Sequence, residues 1–354
     1  MEPQKSRRSV RKKVAQVMNG LSLLVDGSAR VQLGSAPNQS IYKAFNLEVL
    51  HILPRAPEEG GGARRTPVLL IPPLAVRPYV YDLRPDHSMV RVLRDFGLDV
   101  YVLDFGVPRA VDRNLTLDHY VFTFLPQAID AVRRHAGAET VHLAGYCMGG
   151  LFALLYTAAR GERVRSVVTV GAPINFDKLG VLTLAAHLGK KPMDALLERL
   201  GNVPSFAAEA GFKLMGGTRT ITKWADLVAH LDDDGYVRGF DAINTWVNDL
   251  LPYPGEAFRQ LLREVVTGNK LLKGGLVLAD REVNLRRVEA PLLAFSGRTD
   301  NIATPEATRA ILECVGSRDK SLREVPGGHV GVIAGSEART HVWEPAARWL
   351  VERA

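Results

Sequence analysis

A continuous apolar stretch of nineteen residues, "VHLAGYCMGGLFALLYTAA" at 141–159, constrains the fold of this chain more than any other feature. Its length is compatible with a membrane span, but Gly145, Gly149 and Gly150 cluster around a strand-like start, which a single membrane helix does not readily accommodate. The residues before the glycines favour a buried strand, and those after them favour a helix. The stretch therefore predicts a strand, a tight turn and a buried helix, with Cys147 at the turn.

Strand and helix patterns alternate on both sides of this stretch. Short continuous apolar runs, typical of strands buried on both faces, alternate with segments of helical spacing, which predicts parallel β-α-β units joined by right-handed crossovers. The predicted strands are 49–54, 67–74, 98–106, 140–145, 164–173, 291–297 and 321–328. The predicted helices are 87–97, 117–135 with an interruption near Pro126, 147–160, 304–316 and 336–352.

The alternation stops in the middle of the chain and returns near its end, which divides the sequence into three parts. We predict a basic arm and leading segment at 1–40, a core formed by 41–176 together with 286–354, and an inserted cap at 177–285. The cap lies between two late strands, where it could cover the carboxyl edge of the sheet.

The composition indicates a globular protein without a disulfide framework. The chain has 354 residues, 46% hydrophobic and 23% charged, so it can bury a large core. Cys147 and Cys314 lie far apart without C-x-x-C spacing, which argues against a cysteine-based zinc site and fits a reducing cytoplasm. Much of the net charge of +7 lies at 5–13, which we interpret as a solvated basic arm. We expect no metal, no cofactor and no specific nucleic-acid partner.

The sequence around Cys147 has the form of a nucleophile elbow. G-x-C-x-G differs from the usual G-x-S-x-G only in the nucleophile, which sits on a strained strand-to-helix turn. The positive end of the helix dipole would stabilise a thiolate there. The oxyanion donors are expected to be the backbone N–H of Met148 and one N–H from the turn that contains Ala75 and Val76.

An elbow nucleophile requires an acid and a histidine, which follow it in that order along the chain. His329, in "VPGGHVG" after a late strand, has the expected loop setting among the nine histidines. Asp300, in "SGRTDNIATP", directly follows the strand 291–297 and is the favoured acid, because loops at the carboxyl ends of such strands hold reactive groups. Asp177, one strand earlier, remains the alternative acid.

Several segments resemble the poly(3-hydroxyalkanoate) synthases, in particular the short class III enzymes of the α/β-hydrolase superfamily. Cysteine in place of serine at the elbow is a fairly specific marker, and the resemblance covers about residues 40 to 340. The other segments that carry it are "RPYVYDLRPDHSMVRVLRDFGLDVYVLDFGVP", "LTLDHYV", "FDAINTWVNDLLPYPGEAFRQL", "GRTDNIATP" and "PGGHVG".

This resemblance implies an α/β-hydrolase fold, with a mostly parallel sheet, helices on both faces and a helical cap. It implies polymerisation of (R)-3-hydroxyacyl-coenzyme A with release of coenzyme A through an acyl-cysteine intermediate. By position, Cys147 would accept the acyl group, His329 would be its base, and Asp300 would assist the histidine or the 3-hydroxyl. Sulfur suits this chemistry, because thiolate attack on a thioester yields another thioester and keeps the acyl group activated.

The resemblance also implies a set of partners and a location. The partners would be the acyl-coenzyme A substrate, the growing polyester, a second copy of the chain and a second synthase subunit. The chain would lie in the cytoplasm, at the surface of polyester granules. Side chains expected to contact substrate are those of Tyr146, Arg77, Trp246 and Asn301.

Three positions depart from the family pattern. Asn301 follows the acid where histidine is usual, Val76 precedes Arg77 where asparagine is usual, and Tyr146 precedes the nucleophile where smaller or non-hydroxyl side chains are common. An esterase, lipase or thioesterase with a cysteine elbow is therefore the alternative function. A non-catalytic subunit is a third hypothesis, against which the intact set of Cys147, Asp300 and His329 argues.

Overall fold

The computed structural model describes residues 32–54, 66–179, 197–215 and 226–354, so the basic segment 5–13 lies outside the described residues. Its main feature is an eight-stranded sheet, and two small two-stranded sheets accompany it. The strands are β1 Asn38–Ala44, β2 Leu47–Ile52, β3 Pro67–Ile71, β4 Asp82–Arg84, β5 His87–Ser88, β6 Asp99–Asp104, β7 Val141–Tyr146, β8 Val164–Val170, β9 Leu276–Leu278, β10 Arg281–Val283, β11 Leu292–Gly297 and β12 Lys320–Val325.

The main sheet is mostly parallel. Its strand order is β1-β2-β6-β3-β7-β8-β11-β12. The pairs β1–β2 and β2–β6 are antiparallel, and every pair from β6 to β12 is parallel. The loops that follow β3, β7, β11 and β12 consequently leave the same edge of the sheet, although they come from distant parts of the sequence.

Helices cover both faces of the sheet, as the sequence predicts. They are α1 Met89–Asp95, α2 Leu125–Ala136, α3 Met148–Arg160, α4 Ser205–Met215, α5 Asp234–Val247, α6 Gly255–Gln260, α7 Lys270–Lys273, α8 Pro305–Arg309, α9 Ile311–Cys314, α10 Gly331–Ala334 and α11 Glu344–Val351. Single turns and short stretches of other helix types are Pro78–Tyr81, Ala110–Asn114, Leu117–His119, Tyr120–Phe124, Gly161–Arg163, Phe176–Lys178, Leu261–Thr267, Leu285–Arg287 and Arg339–Trp343.

Alternate side chains of the buried strands enter two separate hydrophobic clusters. In β3, Leu69 and Ile71 join the cluster beneath α2 and α3, whereas Val68 and Leu70 join the cluster beneath α1 and α11. A strand that is apolar at every position is thus explained by burial on both faces. The α/β architecture predicted from the sequence is confirmed.

The helix predicted at 117–135 continues past Pro126. A π-helical turn, Tyr120–Phe124, precedes α2, and the proline occupies the first turn of α2, where its missing N–H is not needed. Gly137, in the left-handed conformation at φ 60°, ends the helix.

The described parts of the insertion pack onto the core rather than forming a core of their own. Trp246 of α5 joins the cluster on one face of the sheet, and Tyr253 and Ala257 join the cluster on the other. The insertion also contains the antiparallel hairpin β9–β10, which the sequence did not predict. None of the helices in the described residues has the length and apolar character that crossing a membrane requires.

Candidate active site

The stretch that opened the sequence analysis forms a strand, a sharp turn and a buried helix. Cys147 lies between β7 and α3 with φ 51° and ψ −120°, an unfavourable backbone conformation for a residue with a Cβ. Its N–H donates to the carbonyl of Val170 in the neighbouring strand at 2.8 Å, and its carbonyl accepts from the Gly150 N–H at 3.0 Å. These bonds hold the strained turn and leave the partly exposed thiol at the edge of the sheet.

The glycines of the elbow are required because backbone segments approach each other closely. A Cβ on Gly149 would overlap the carbonyl of Ile71 at the end of β3, and a Cβ on Gly145 would overlap the backbone of Gly149. A Cβ on Gly150 would lie 2.8 Å from that of Ala172. The start of α3 therefore lies directly against the ends of β3 and β7, which fixes where the thiol lies.

His329 and Asp300 form a buried pair beside this thiol. The imidazole Nδ1 lies 2.8 Å from Asp300 Oδ2, and the two side chains are 4% and 0% exposed. Asp300 Oδ1 accepts the backbone N–H groups of Ile302 and Ala303, each at 2.8 Å. With both carboxylate oxygens accepting, Nδ1 carries the proton toward Asp300, and Nε2 is left free to serve the neighbouring Cys147 thiol.

The electrostatic environment of His329 favours the imidazolium. Burial acts to lower its pKa, but the charges of the Asp300 carboxylate and the Cys147 thiolate, with their hydrogen bonds, raise the pKa of His329 to about 10. An imidazolium at this position stabilises negative charge that develops on a neighbouring sulfur, which a cysteine nucleophile requires.

Asp177, the alternative acid, lies elsewhere. It is in the short turn Phe176–Lys178, half exposed, and its Oδ2 is 3.4 Å from Nζ of Lys273. The contact that an acid of this kind must make, to the histidine, is made by Asp300. The geometry therefore favours Asp300. The second cysteine, Cys314, is buried, and burial raises the pKa of its thiol, which suits a structural residue.

The two expected oxyanion donors flank the elbow. The Met148 N–H, at the first position of α3, makes no hydrogen bond within the described residues. The turn after β3 contains Ala75 with φ 63°, and the Ala75 carbonyl accepts the Leu251 N–H at 2.8 Å. The N–H of Val76 closes this turn and makes no hydrogen bond of good geometry in the described part of the chain. The close approach of α3 to Ile71 brings this turn beside the start of the helix.

Tyr146 and Trp246 lie behind the site rather than on an open surface, since they are 2% and 1% exposed. The Tyr146 hydroxyl donates to the carbonyl of His329 at 3.1 Å, and the two rings are 5.1 Å apart. The Tyr146 N–H donates to the hydroxyl of Tyr81 at 3.2 Å. The indole of Trp246 packs 6.5 Å from the Tyr146 ring. Both residues thus support the residues around the thiol.

Arg77 is joined to a residue of the insertion that the sequence analysis did not single out. Its Nε donates to Asp249 Oδ2 at 2.9 Å, and the hydroxyl of Tyr79 donates to the same oxygen at 2.6 Å. Arg77 and Asp249 both occur in segments that carried the family resemblance. The only signal in the sequence that these two segments meet was the opposite charge of the two side chains, which is too weak to predict a contact.

A cavity of about 710 Å³ lies between the insertion and the core loops, within the usual size range of ligand sites. Asn301 and His329 are in its wall, and Cys147 is not. Arg84 and Lys213 bring positive charge, and Asp233 brings negative charge, to a wall that is otherwise largely apolar. The apolar residues in the wall of the cavity include Leu83, Phe212, Tyr236, Phe240, Ala242, Ile243, Val247, Ile302 and Val330.

Comparison with known proteins shows the family and the fold of this chain. Residues 67–335 match the family described as alpha/beta hydrolase fold. The poly(3-hydroxyalkanoate) polymerase subunit PhaC of Allochromatium vinosum is 33% identical over 94% of this chain and 93% of its own length. The subunit PhaC of Haloferax mediterranei is also 33% identical, over 92% of this chain, which spans 66% of that relative's length.

Solved structures share the fold at low identity. An esterase from Thermogutta terrifontis superimposes with a TM-score of 0.54 at 15% identity, covering 90% of this chain and 99% of its own. A monoacylglycerol lipase from Paleococcus ferrophilus gives a TM-score of 0.51 at 18% identity, covering 83% of this chain and 97% of its own. At such identities the likeness concerns the fold alone.

Proposed function

Because this chain belongs to the family of poly(3-hydroxyalkanoate) polymerase subunits PhaC, within the α/β hydrolase fold, we propose that it polymerises (R)-3-hydroxyacyl-coenzyme A. The product is a polyester, and coenzyme A is released at each addition. The observation that carries the proposal is a cysteine at the elbow that lies beside the buried, hydrogen-bonded pair of His329 and Asp300.

In the first half-reaction the acyl group moves to the protein. The Cys147 thiolate attacks the thioester carbonyl, and the negative charge on the carbonyl oxygen is stabilised by the backbone N–H groups of Met148 and Val76. The carbon–sulfur bond to coenzyme A breaks as the bond to Cys147 Sγ forms. His329 gives its Nε2 proton to the departing thiolate.

In the second half-reaction the acyl group moves to an alcohol. His329, now neutral, removes the proton from the 3-hydroxyl of a hydroxyacyl unit, whose oxygen attacks the acyl-cysteine. An ester bond forms, the bond to Sγ breaks, and the thiolate is restored beside the imidazolium. Asp300 keeps the imidazole oriented and stabilises its charge throughout.

The cavity supplies the surroundings that this substrate needs. Its apolar wall suits an acyl chain, and the charges of Arg84 and Lys213 suit the phosphate groups of coenzyme A. Segment 177–285 acts as the cap, since its helices α4 and α5 form one wall of the cavity. We further assign a second copy of the chain, a second synthase subunit and the granule surface as partners, and the cytoplasm as the location.

Incubating the purified chain with 3-hydroxybutyryl-coenzyme A tests the proposal. Released coenzyme A would be measured together with the products, by mass spectrometry. Release accompanied by ester-linked oligomers is the expected result. If coenzyme A is released and the only other product is free hydroxy acid, the protein is a thioesterase and the polymerase assignment is wrong.

A second measurement covers the case in which chain growth needs the second subunit. A single turnover should leave one hydroxybutyryl group on Cys147, visible as a mass increase of the intact protein. Cys147→Ala should abolish this acylation, whereas the matched control Cys314→Ala should retain it. If the protein releases no coenzyme A and Cys147 is not acylated, the proposal as a whole is overturned.

A further inference from the structure

The insertion contacts the turn that holds one of the proposed oxyanion donors. Three hydrogen bonds join them: the Leu251 N–H donates to the Ala75 carbonyl at 2.8 Å, and Arg77 Nε and the Tyr79 hydroxyl donate to Asp249 Oδ2 at 2.9 and 2.6 Å. The donors and acceptors lie about 170 residues apart in sequence, separated by 172 and 170 positions for the two bonds to Asp249.

The bond to Ala75 determines where the next N–H points. A trans peptide holds its C=O and N–H in one plane and in opposite directions. Because the Ala75 carbonyl is directed to Leu251, the Val76 N–H is directed away from the insertion. Ala75 itself has φ 63°, a conformation that a residue with a Cβ adopts only when its surroundings impose it.

Asp249 anchors the residues on the other side of this peptide. Its carboxylate is 42% exposed and the Arg77 side chain is 36% exposed, and an ion pair that is so open to water adds little to the free energy of unfolding. The ion pair matters for the position of the turn instead. Asp249 Oδ2 accepts hydrogen bonds from both Arg77 and Tyr79, which lie one and three positions after Val76, so the turn is attached to the insertion at two points.

We propose that Asp249 is a positioning residue: through Arg77 and Tyr79 it holds the turn at Ala75 and Val76 in the conformation that stabilises the acylation transition state. The cap therefore completes the oxyanion site as well as covering it. The inference rests on the proposed function only in that Cys147 is acylated through a tetrahedral intermediate, which a hydrolase would share.

Two reactions of the same thiol separate positioning from general damage. Acylation by 3-hydroxybutyryl-coenzyme A develops an oxyanion, whereas alkylation by iodoacetamide develops none. In Asp249→Asn we expect single-turnover acylation to slow by roughly 10- to 100-fold, as for small displacements of catalytic groups. Alkylation of Cys147 should stay near the wild-type rate, and the concentration of thioester that half-saturates acylation should change little.

Matched variants complete the test. Asp280→Asn removes the same charge from an exposed turn of the insertion and should leave both rates unchanged. Tyr79→Phe keeps the ion pair and should slow acylation less. It replaces Asp249→Asn if the latter fails to fold in a urea titration. In the double variant Arg77→Met with Asp249→Asn, the two losses should combine to less than their product.

Equal slowing of acylation and alkylation, or no slowing of acylation, would overturn this inference. These outcomes differ from failure of the proposed function, which appears in the wild-type protein as hydrolysis without oligomers. If the wild-type chain does not accept the coenzyme A thioester, p-nitrophenyl acetate serves as the acylating probe for the same comparison.

Discussion

The hydroxyl of Tyr146 donates a hydrogen bond to the backbone carbonyl of His329 at 3.1 Å. Tyr146 immediately precedes Cys147, so one side chain connects the end of β7 to the loop that carries His329. Both residues are buried, at 2% and 6% exposure. A displacement of the histidine loop relative to Cys147 therefore requires breaking a bond inside the protein.

Replacing Tyr146 tests whether its hydrogen bond to the His329 carbonyl holds the histidine loop in place. Tyr146→Phe removes only the hydroxyl and leaves a buried carbonyl without its donor, which costs about 1–3 kcal/mol of unfolding free energy. We expect kcat for coenzyme A release to fall several-fold with little change in KM, measured beside urea unfolding. Tyr156→Phe, which removes a tyrosine hydroxyl from the later part of the buried helix α3, is the control and should leave kcat unchanged. An unaltered kcat in Tyr146→Phe would mean that the loop is held by other contacts.

The choice of acid is tested by a pair of substitutions. Asp300→Asn should lower kcat by about 10⁴-fold, because an amide cannot hold the imidazole in the required tautomer or stabilise its charge. Asp177→Asn removes a half-exposed carboxylate near Lys273 and should retain wild-type kcat. Steady-state kinetics decide the matter, and the reverse ranking would make Asp177 the acid.

The raised pKa of His329 predicts a pH dependence of stability. The pKa is about 10 in the folded protein against 6.5 for an unperturbed imidazole, so the folded state binds the proton more tightly. The resulting stabilisation is complete below pH 6.5 and is lost as the pH rises from 6.5 through 10, at up to about 1.4 kcal/mol per pH unit.

Urea unfolding of the wild type and of His329→Gln at several pH values from 6 to 10 measures the contribution of His329 protonation to the free energy of unfolding. The difference between the two unfolding free energies should shrink as the pH rises. A difference that is constant across this range would show that His329 is not protonated in the folded protein.

A glycine of the elbow provides a prediction about folding. Gly149→Ala places a Cβ against the carbonyl of Ile71, and neither β3 nor α3 can move without disturbing the core. We expect a loss of several kcal/mol or failure to fold, because overpacking of a rigid core costs about 1–3 kcal/mol even where side chains can adjust.

The matched control is Gly211→Ala in α4, where nothing lies within 4 Å of the added Cβ. This change should stabilise the protein by about 0.5–1 kcal/mol, since alanine favours the helix interior. Thermal unfolding of the two variants should therefore move in opposite directions. A well-folded Gly149→Ala protein would contradict the close approach of α3 to β3.

Much of the core was predictable because its signals are local. β7, the turn at Cys147 and α3 follow from an apolar run interrupted by glycines, and the parallel strands follow from short runs buried on both faces. The hairpin β9–β10 was not predicted, since its strands have three residues each. Such short strands carry no periodic pattern that distinguishes them from a loop.

The insertion shows the limit of such reasoning. The family resemblance implied a helical cap, but not that Trp246 packs behind Tyr146 or that Asp249 accepts hydrogen bonds from Arg77 and Tyr79. The expectation that Arg77 and Trp246 contact the substrate remains a prediction. Their observed neighbours are protein side chains, which no spacing within one segment could have indicated.

The sequence by itself determined the α/β class, the family, and the candidates for nucleophile, base and acid, because glycines at a strand–helix junction and chain order are local properties. Only the tertiary structure decided that Asp300 rather than Asp177 meets His329, that Tyr146 joins the base to the elbow, and that the insertion holds the turn at Ala75. Those relationships depend on which loops the parallel sheet brings to one edge, and a hydrogen bond between residues far apart in the chain leaves no periodic trace in either segment.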